Sequence, residues 1–139
     1  MKTQQILQLT DASAISQACK TRATELNVAV SIVVLDGHGH LILSERLDGA
    51  QFQTPDVAKG KALTAVMMRQ PSRTIEDAAL ARLTLCSFRD GRLPIQGGLP
   101  LFIHEECVGS VGVSGGSPDQ DEMIAQAGIE YFMRKIQQS

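Results

Sequence analysis

The sequence predicts an α/β fold of the α+β kind, an antiparallel sheet flanked by helices. Two observations carry this. The elements run helix, two strands, two helices, further strands, helix, and consecutive strands are joined by turns too short for the crossover that parallel pairing requires. Size agrees: 139 residues with 43% hydrophobic content suit one core, so residues 1–139 are read as a single domain. Only 4% of the residues are aromatic and Trp is absent, which makes that core aliphatic.

Thr10 and Asp11 open the first helix, along which Ile15, Ala18, Cys19, Arg22 and Leu26 recur at helical spacing, and Asn27 suits the left-handed closing position. Val28 to Leu35 is β-branched and nearly all apolar. The turn residues Asp36-Gly37-His38-Gly39 and a second run, His40 to Leu47, complete a hairpin whose first strand is mostly buried. Thr54-Pro55-Asp56 combines an N-cap, a proline in the first turn and an early acid, and the helix it opens runs to Gln70, where Pro71 ends it. Ala58, Ala62 and Ala65 give this helix a small-residue face for close packing.

A short helix from Thr74 to Leu83 follows, with Asp77 placed to complete a cap on Thr74. Asp90-Gly91, Pro94, Gly97-Gly98 and Pro100 then predict a short irregular hairpin and a tight bend between Leu85 and Leu101. Strands at Leu101–His104 and Cys107–Ser114, separated by Glu105-Glu106, lead to the Gly115-Gly116 turn. In the last helix Ser117 and Gln120 form a capping box, and Ala125, Ile129, Phe132, Met133 and Ile136 line one face.

A net charge of −2, from 13 basic and 15 acidic residues, supplies no electrostatic footprint for nucleic acid or anionic lipid. No apolar run approaches the ~20 residues that span a bilayer, and Met1 to Thr10 lacks the pattern of a signal peptide, so a cytoplasmic location is expected. Cys19, Cys86 and Cys107 share no CxxC spacing and read as three reduced, mostly buried thiols without a structural metal.

Four groups are candidates for chemistry. Arg46 and Asp48 share one side of an extended segment, where a guanidinium oriented by an acid can hold a carboxylate; a partly exposed ion pair is the alternative. Lys61, with Thr64 three residues on, lies among Ala and Gly, where its ammonium can bind an anion or act as a base, or else reach out to solvent. Gly109 to Gly116 ahead of a helix can form an anion-binding nest, or simply a turn that caps itself. His38 and His40, one residue apart, can ligate a metal or haem iron, or remain exposed hairpin residues. No nucleophile elbow, Walker loop, HExxH or Rossmann glycine pattern is present.

Taken in order, Val34-Leu35-Asp36-Gly37-His38-Gly39-His40, Arg46-Leu47-Asp48-Gly49-Ala50, Lys61-Ala62-Leu63-Thr64-Ala65, Gly97-Gly98-Leu99-Pro100 and Gly109-Ser110-Val111-Gly112-Val113-Ser114-Gly115-Gly116 resemble the GlcG/HbpS-like family, which includes PduO C-terminal-domain-like and OrfY-like proteins. The resemblance implies a profilin-like sheet flanked by helices and assembly into dimers or larger rings. It also implies haem as a possible cofactor in some members and links to glycolate, diol, glycerol or cobalamin metabolism in others.

The resulting expectation is a small-molecule-binding accessory protein and homo-oligomer. Its pocket is formed near Arg46, Asp48, Lys61, Thr64, Gly97 and Gly98, and holds a tetrapyrrole or a small acid. His40, at a family-matching position, is the expected axial haem ligand, with His38 as substitute or second ligand. Two alternatives stay open: an enzyme acting on a small hydroxy or keto acid, with Lys61 as base and Arg46 as clamp, and an oligomeric scaffold without catalysis. Lys61 and Arg46 are expected to face one cleft, in which case Lys61→Ala leaves the melting temperature nearly unchanged.

Overall fold

The computed structural model describes residues 1–139. In chain order the elements are α1 (Leu9–Leu26), β1 (Ser31–Asp36), β2 (Leu41–Arg46), α2 (Thr54–Met68), α3 (Ser72–Ala81), a 3-10 turn (Leu83–Cys86), β3 (Gly98–Ile103), β4 (Glu106–Ser114) and α4 (Pro118–Gln138). The four strands form one antiparallel sheet in the order β2-β1-β4-β3. This is the α+β architecture that the alternation of elements predicts.

Several local predictions hold for the reasons given. Asn27 closes α1 in the left-handed conformation (φ 56°), where its short polar side chain is tolerated. At α4 the Ser117 hydroxyl accepts from the Gln120 amide at 3.2 Å while the Gln120 side chain accepts from the Ser117 N–H at 3.0 Å, the reciprocal box its spacing predicts.

Others need correction. Thr54 is the first helical residue rather than the cap, because its hydroxyl is drawn to the Gln51 carbonyl at 2.6 Å and lies 2.8 Å from Ser31 of β1. Helix α3 begins at Ser72, just after Pro71, two residues before the predicted Thr74 cap, so Asp77 completes no cap there. No hairpin forms between Leu85 and Gly97. Instead β3 starts at Gly98 and includes Pro100, which an edge strand accommodates because the missing N–H faces away from its partner. Cys19 is buried, but Cys86 is exposed and Cys107 half-buried; all three are free thiols. Burial pushes the Cys19 thiol up to about 12.

The two faces of the sheet are built differently. Ile32, Val34, Val111 and Val113 point toward α1 and α4 and join Ile15, Cys19, Ile124 and Phe132 in the larger core. Val33 and Leu35 point the other way, toward Ala58, Ala62, Leu63 and Val66 of α2. On that second face, beyond Cys107 at its start, β4 offers Ser110, Gly112 and Ser114, and β3 offers Gly98 directly opposite Gly112. The helix therefore settles onto bare backbone. A Cβ on Gly98 would strike the Lys61 carbonyl, and one on Gly112 would strike the Ala58 carbonyl and lie 2.8 Å from the Ala62 nitrogen. The Ser110 hydroxyl donates to the Ala62 carbonyl at 2.7 Å, which fixes the helix in place.

Because Gly112 meets helix backbone rather than a flexible side chain, Gly112→Ala forces α2 off the sheet. The expected loss is at the upper end of the about 1–3 kcal/mol typical of overpacking, read from the midpoint of urea denaturation.

Candidate functional site

Lys61 shows what the close approach of α2 does to a charged side chain. It is 3% exposed, and its aliphatic stem passes beside Gly97, where a Cβ would lie 2.9 Å from Lys61 Cδ and where a φ of 129° favours glycine. The ammonium donates to Asp121 Oδ2 at 2.9 Å and to the Val113 carbonyl at 3.0 Å. Asp121, in the first turn of α4, accepts the Gly116 N–H on its other oxygen at 2.8 Å. Burial raises the Asp121 carboxyl, and the Lys61 ammonium and the Gly116 N–H oppose that rise. The pair joins α2 to the start of α4 across the end of β4.

Thr64, Gly97 and Gly98 belong to the same joint. The Thr64 hydroxyl is buried between the Leu93 carbonyl at 2.7 Å and the Gly60 carbonyl at 3.0 Å. Gly97 accepts the Val113 N–H at 3.0 Å. Gly98 donates its N–H to the Ser72 hydroxyl at 2.8 Å, and that hydroxyl donates to the Ile95 carbonyl at 2.6 Å.

Arg46 and Asp48 lie elsewhere. They line an open hollow with Gly49, Ala50, Gln51, Phe52 and Gln53, and the Arg46 guanidinium sits 4.9 Å from the centroid of the Phe52 ring. The expected convergence of Lys61 and Arg46 on one cleft does not occur. Small residues on β3 and β4 let α2 sink until Lys61 is trapped beneath it, while Arg46 stays exposed on β2. Neither snorkelling nor a cleft describes Lys61.

The two hairpin histidines are held by one carboxylate. Asp36 Oδ1 accepts the N–H groups of both His38 and His40 at 2.9 Å. The rings diverge from there. His38 Nε2 meets Gln4 Oε1 at 3.1 Å, beside a hollow that Lys2, Arg69 and Cys107 also line. The His40 side chain is 83% exposed, with Nδ1 3.9 Å from Asp36 Oδ2. Leu41 (51% exposed) follows it, and Met67 (42% exposed) lies over the adjacent Gly39. No three His, Cys, Asp or Glu residues are grouped to hold a metal ion.

Sequence reasoning missed two polar links. Asp121 was legible only as an acid at a helix start. Glu45 accepts from Ser16 at 2.6 Å and Lys20 at 3.2 Å, tying β2 to α1, and the Ser16 hydrogen bond, with Lys20 behind it, holds its carboxyl below the usual range.

The family model described as "Haem degrading protein HbpS-like" matches residues 7–130. The chain belongs to the HbpS-like family. It is similar to an uncharacterised 15.0 kDa protein from the dhaT–dhaS intergenic region of Citrobacter freundii, 36% identical over 94% of this chain and 96% of that one. It is also similar to protein GlcG of Escherichia coli, 33% identical over 82% and 85%. Among solved structures, protein ORFY of Klebsiella pneumoniae superposes with a TM-score of 0.86 at 33% identity over 96% of this chain and 97% of that one. A double mutant of Streptomyces reticuli HbpS gives 0.88 at 30% over 94% and 89%. The crystal structure of the PduOC:Heme complex gives 0.84 at 29% over 91% and 95%. No helix of this HbpS-like chain is long and apolar enough to cross a membrane.

Two predictions follow from the polar links. Lys61→Met strands a buried carboxylate and is expected to cost about 3–5 kcal/mol, most of which Lys61→Met/Asp121→Leu restores; calorimetry of the three proteins checks this. A solvent-facing lysine would have been replaceable without loss. Because the folded Glu45 carboxyl titrates below its ordinary value of 4.5, its contribution is present above that pH and is lost as pH falls through the depressed value. The melting-temperature gap between wild type and Glu45→Gln is therefore expected to be widest above pH 4.5 and to close under stronger acid.

Proposed function

We propose that this chain is a small-molecule-binding accessory protein that takes up haem or a related tetrapyrrole, with His40 as the axial ligand. The observation that carries the reading is the likeness to the PduOC:Heme complex over 91% of the chain. Haem supplies an iron that accepts an imidazole nitrogen, a planar apolar macrocycle and two propionates. The surroundings of His40 suit such a group. Its ring is exposed and makes no side-chain hydrogen bond, and its Nδ1 lies 3.9 Å from Asp36 Oδ2, near enough for a small ring rotation to bring the carboxylate behind a ligating imidazole. Leu41 and Met67 offer apolar surface next to it, with Met67 and Leu63 packed over the adjacent Gly39. His38 is less suited, since Gln4 already engages its Nε2.

The link to glycolate, diol or glycerol utilisation implied by the resemblance remains part of this proposal. The alternative, an enzyme acting on a small hydroxy or keto acid, is supported by Arg46 and Asp48 in an open hollow. It lacks a free Lys61, whose ammonium is engaged by Asp121.

Haemin titration followed at the Soret band tests the assignment. Wild type is expected to bind, His40→Ala to lose at least about tenfold in affinity with an altered spectrum, and His38→Ala to remain close to wild type. An unaltered His40→Ala spectrum removes His40 as ligand, and absence of binding by wild type removes the haem reading.

A further inference from the structure

Ahead of α1, residues 2–7 run as a strap past the turns that join β1 to β2 and β3 to β4. Leu7 anchors it: this side chain is buried and occupies the space that a Cβ on Gly109 would need. From there the Gln5 N–H donates to Glu106 Oε1 at 3.0 Å, and Gln4 Oε1 lies 3.1 Å from His38 Nε2, so the strap is pinned to both turns. Between strap and turns is a hollow of about 230 Å³. Gly37 and Cys107 line it where the two turns meet backbone to backbone, since a Cβ on Gly37 would lie 2.8 Å from the Cys107 carbonyl.

Charges of both signs line this hollow without neutralising one another. Lys2 comes from the strap and Arg69 closes α2, and no carboxylate lies within ion-pair distance of either. Asp36, Glu105 and Glu106 line it as well, and main-chain N–H groups occupy only one oxygen of Asp36 and one of Glu106. This mixture decides what the hollow can take. A bare anion would meet three carboxylates and the negative end of the α2 dipole. A bare cation would meet Lys2 and Arg69. A molecule carrying both charges finds a partner for each. Size sets a further limit, because at ~30 Å³ for each water-sized group the space holds about eight. That admits a small amino acid and excludes a macrocycle.

We propose that this hollow is a second ligand site, separate from the surface around His40, and that it binds a small α-amino acid as the zwitterion. Lys2 and Arg69 receive the carboxylate, the guanidinium through paired N–H groups. Glu105 and the unoccupied oxygens of Asp36 and Glu106 receive the ammonium. Partial enclosure by the strap strengthens both interactions, because fewer waters compete for the charges. The site stands on this chain alone and needs no haem.

Calorimetric titration of the full chain, without haemin, tests this with glycine, L-alanine and L-serine, while acetate and methylamine present each charge alone. At least one of the amino acids is expected to bind saturably, and at least about tenfold more tightly than acetate or methylamine. Lys2→Gln/Arg69→Asn should weaken that binding at least about tenfold. Asparagine tolerates the left-handed conformation that Arg69 adopts (φ 54°), so the variant should keep the circular dichroism of wild type. The thiols report the location. Saturating amino acid should slow alkylation of Cys107 by iodoacetamide and leave the exposed Cys86 unchanged as an internal control. Four results overturn the site: no saturable binding of any of these amino acids, acetate or methylamine binding as tightly as they do, full affinity in the folded double variant, or an unchanged Cys107 rate.

Discussion

Contact between the α2 backbone and the glycines of β3 and β4 is the constraint on which the rest of this structure depends. A helix on a sheet normally rests on a layer of side chains. Here Gly98 and Gly112 withdraw that layer, so Lys61 and Ala58 carbonyls lie where a Cβ would stand. The aliphatic chemistry of the chain makes this possible. With few aromatic residues to fill a thick interlayer, the smaller of the two cores closes by bringing backbones together through Ala58 and Ala62, and the larger core is left to the Val, Ile and Leu residues facing α1 and α4.

Burial of Lys61 follows from that contact, and its energetics explain why Asp121 must be where it is. An ammonium taken out of water without a partner would cost far more than a domain of this size can offset. Asp121 and the Val113 carbonyl provide the missing interactions, and the Gly116 N–H satisfies the second carboxylate oxygen. No buried side-chain nitrogen or oxygen is left without a partner anywhere in the chain. The side chains of the joint among α2, β4 and α4 are therefore fully paired internally, so Lys61 and Asp121 have no free charge to offer a ligand.

Much of the fold was legible because its signals are local. Asn27, the Ser117–Gln120 box and the β-branched run of β1 each act within a few residues. The errors came where tertiary contacts decide. Thr54 reads as a cap until Ser31 is seen to be next to it, and Pro100 reads as a strand breaker until β3 proves to be an edge. The site was legible residue by residue but not as an assembly. Lys61 looked like a cation facing a cleft because Ala and Gly neighbours suggest open space, whereas they mark space already filled by backbone. The alternation of Ser110, Gly112 and Ser114 with Val111 and Val113 was the available signal: a strand with small residues on one face asks for something to lie directly against it.

The same sinking of α2 has a consequence at the far side of the sheet. The helix lies over β4, β3 and β1, where the glycines and small residues are, and cannot also shield β2. Leu41, Ser44 and Arg46 are consequently exposed on the very face where Val33 and Leu35 of the neighbouring strand are buried. A helix centred over the sheet would have covered this face; one drawn to Gly98 and Gly112 leaves β2 an edge strand with Leu41, Ser44 and Arg46 uncovered. The glycines that trap Lys61 thus also determine which face of the sheet is left exposed at β2.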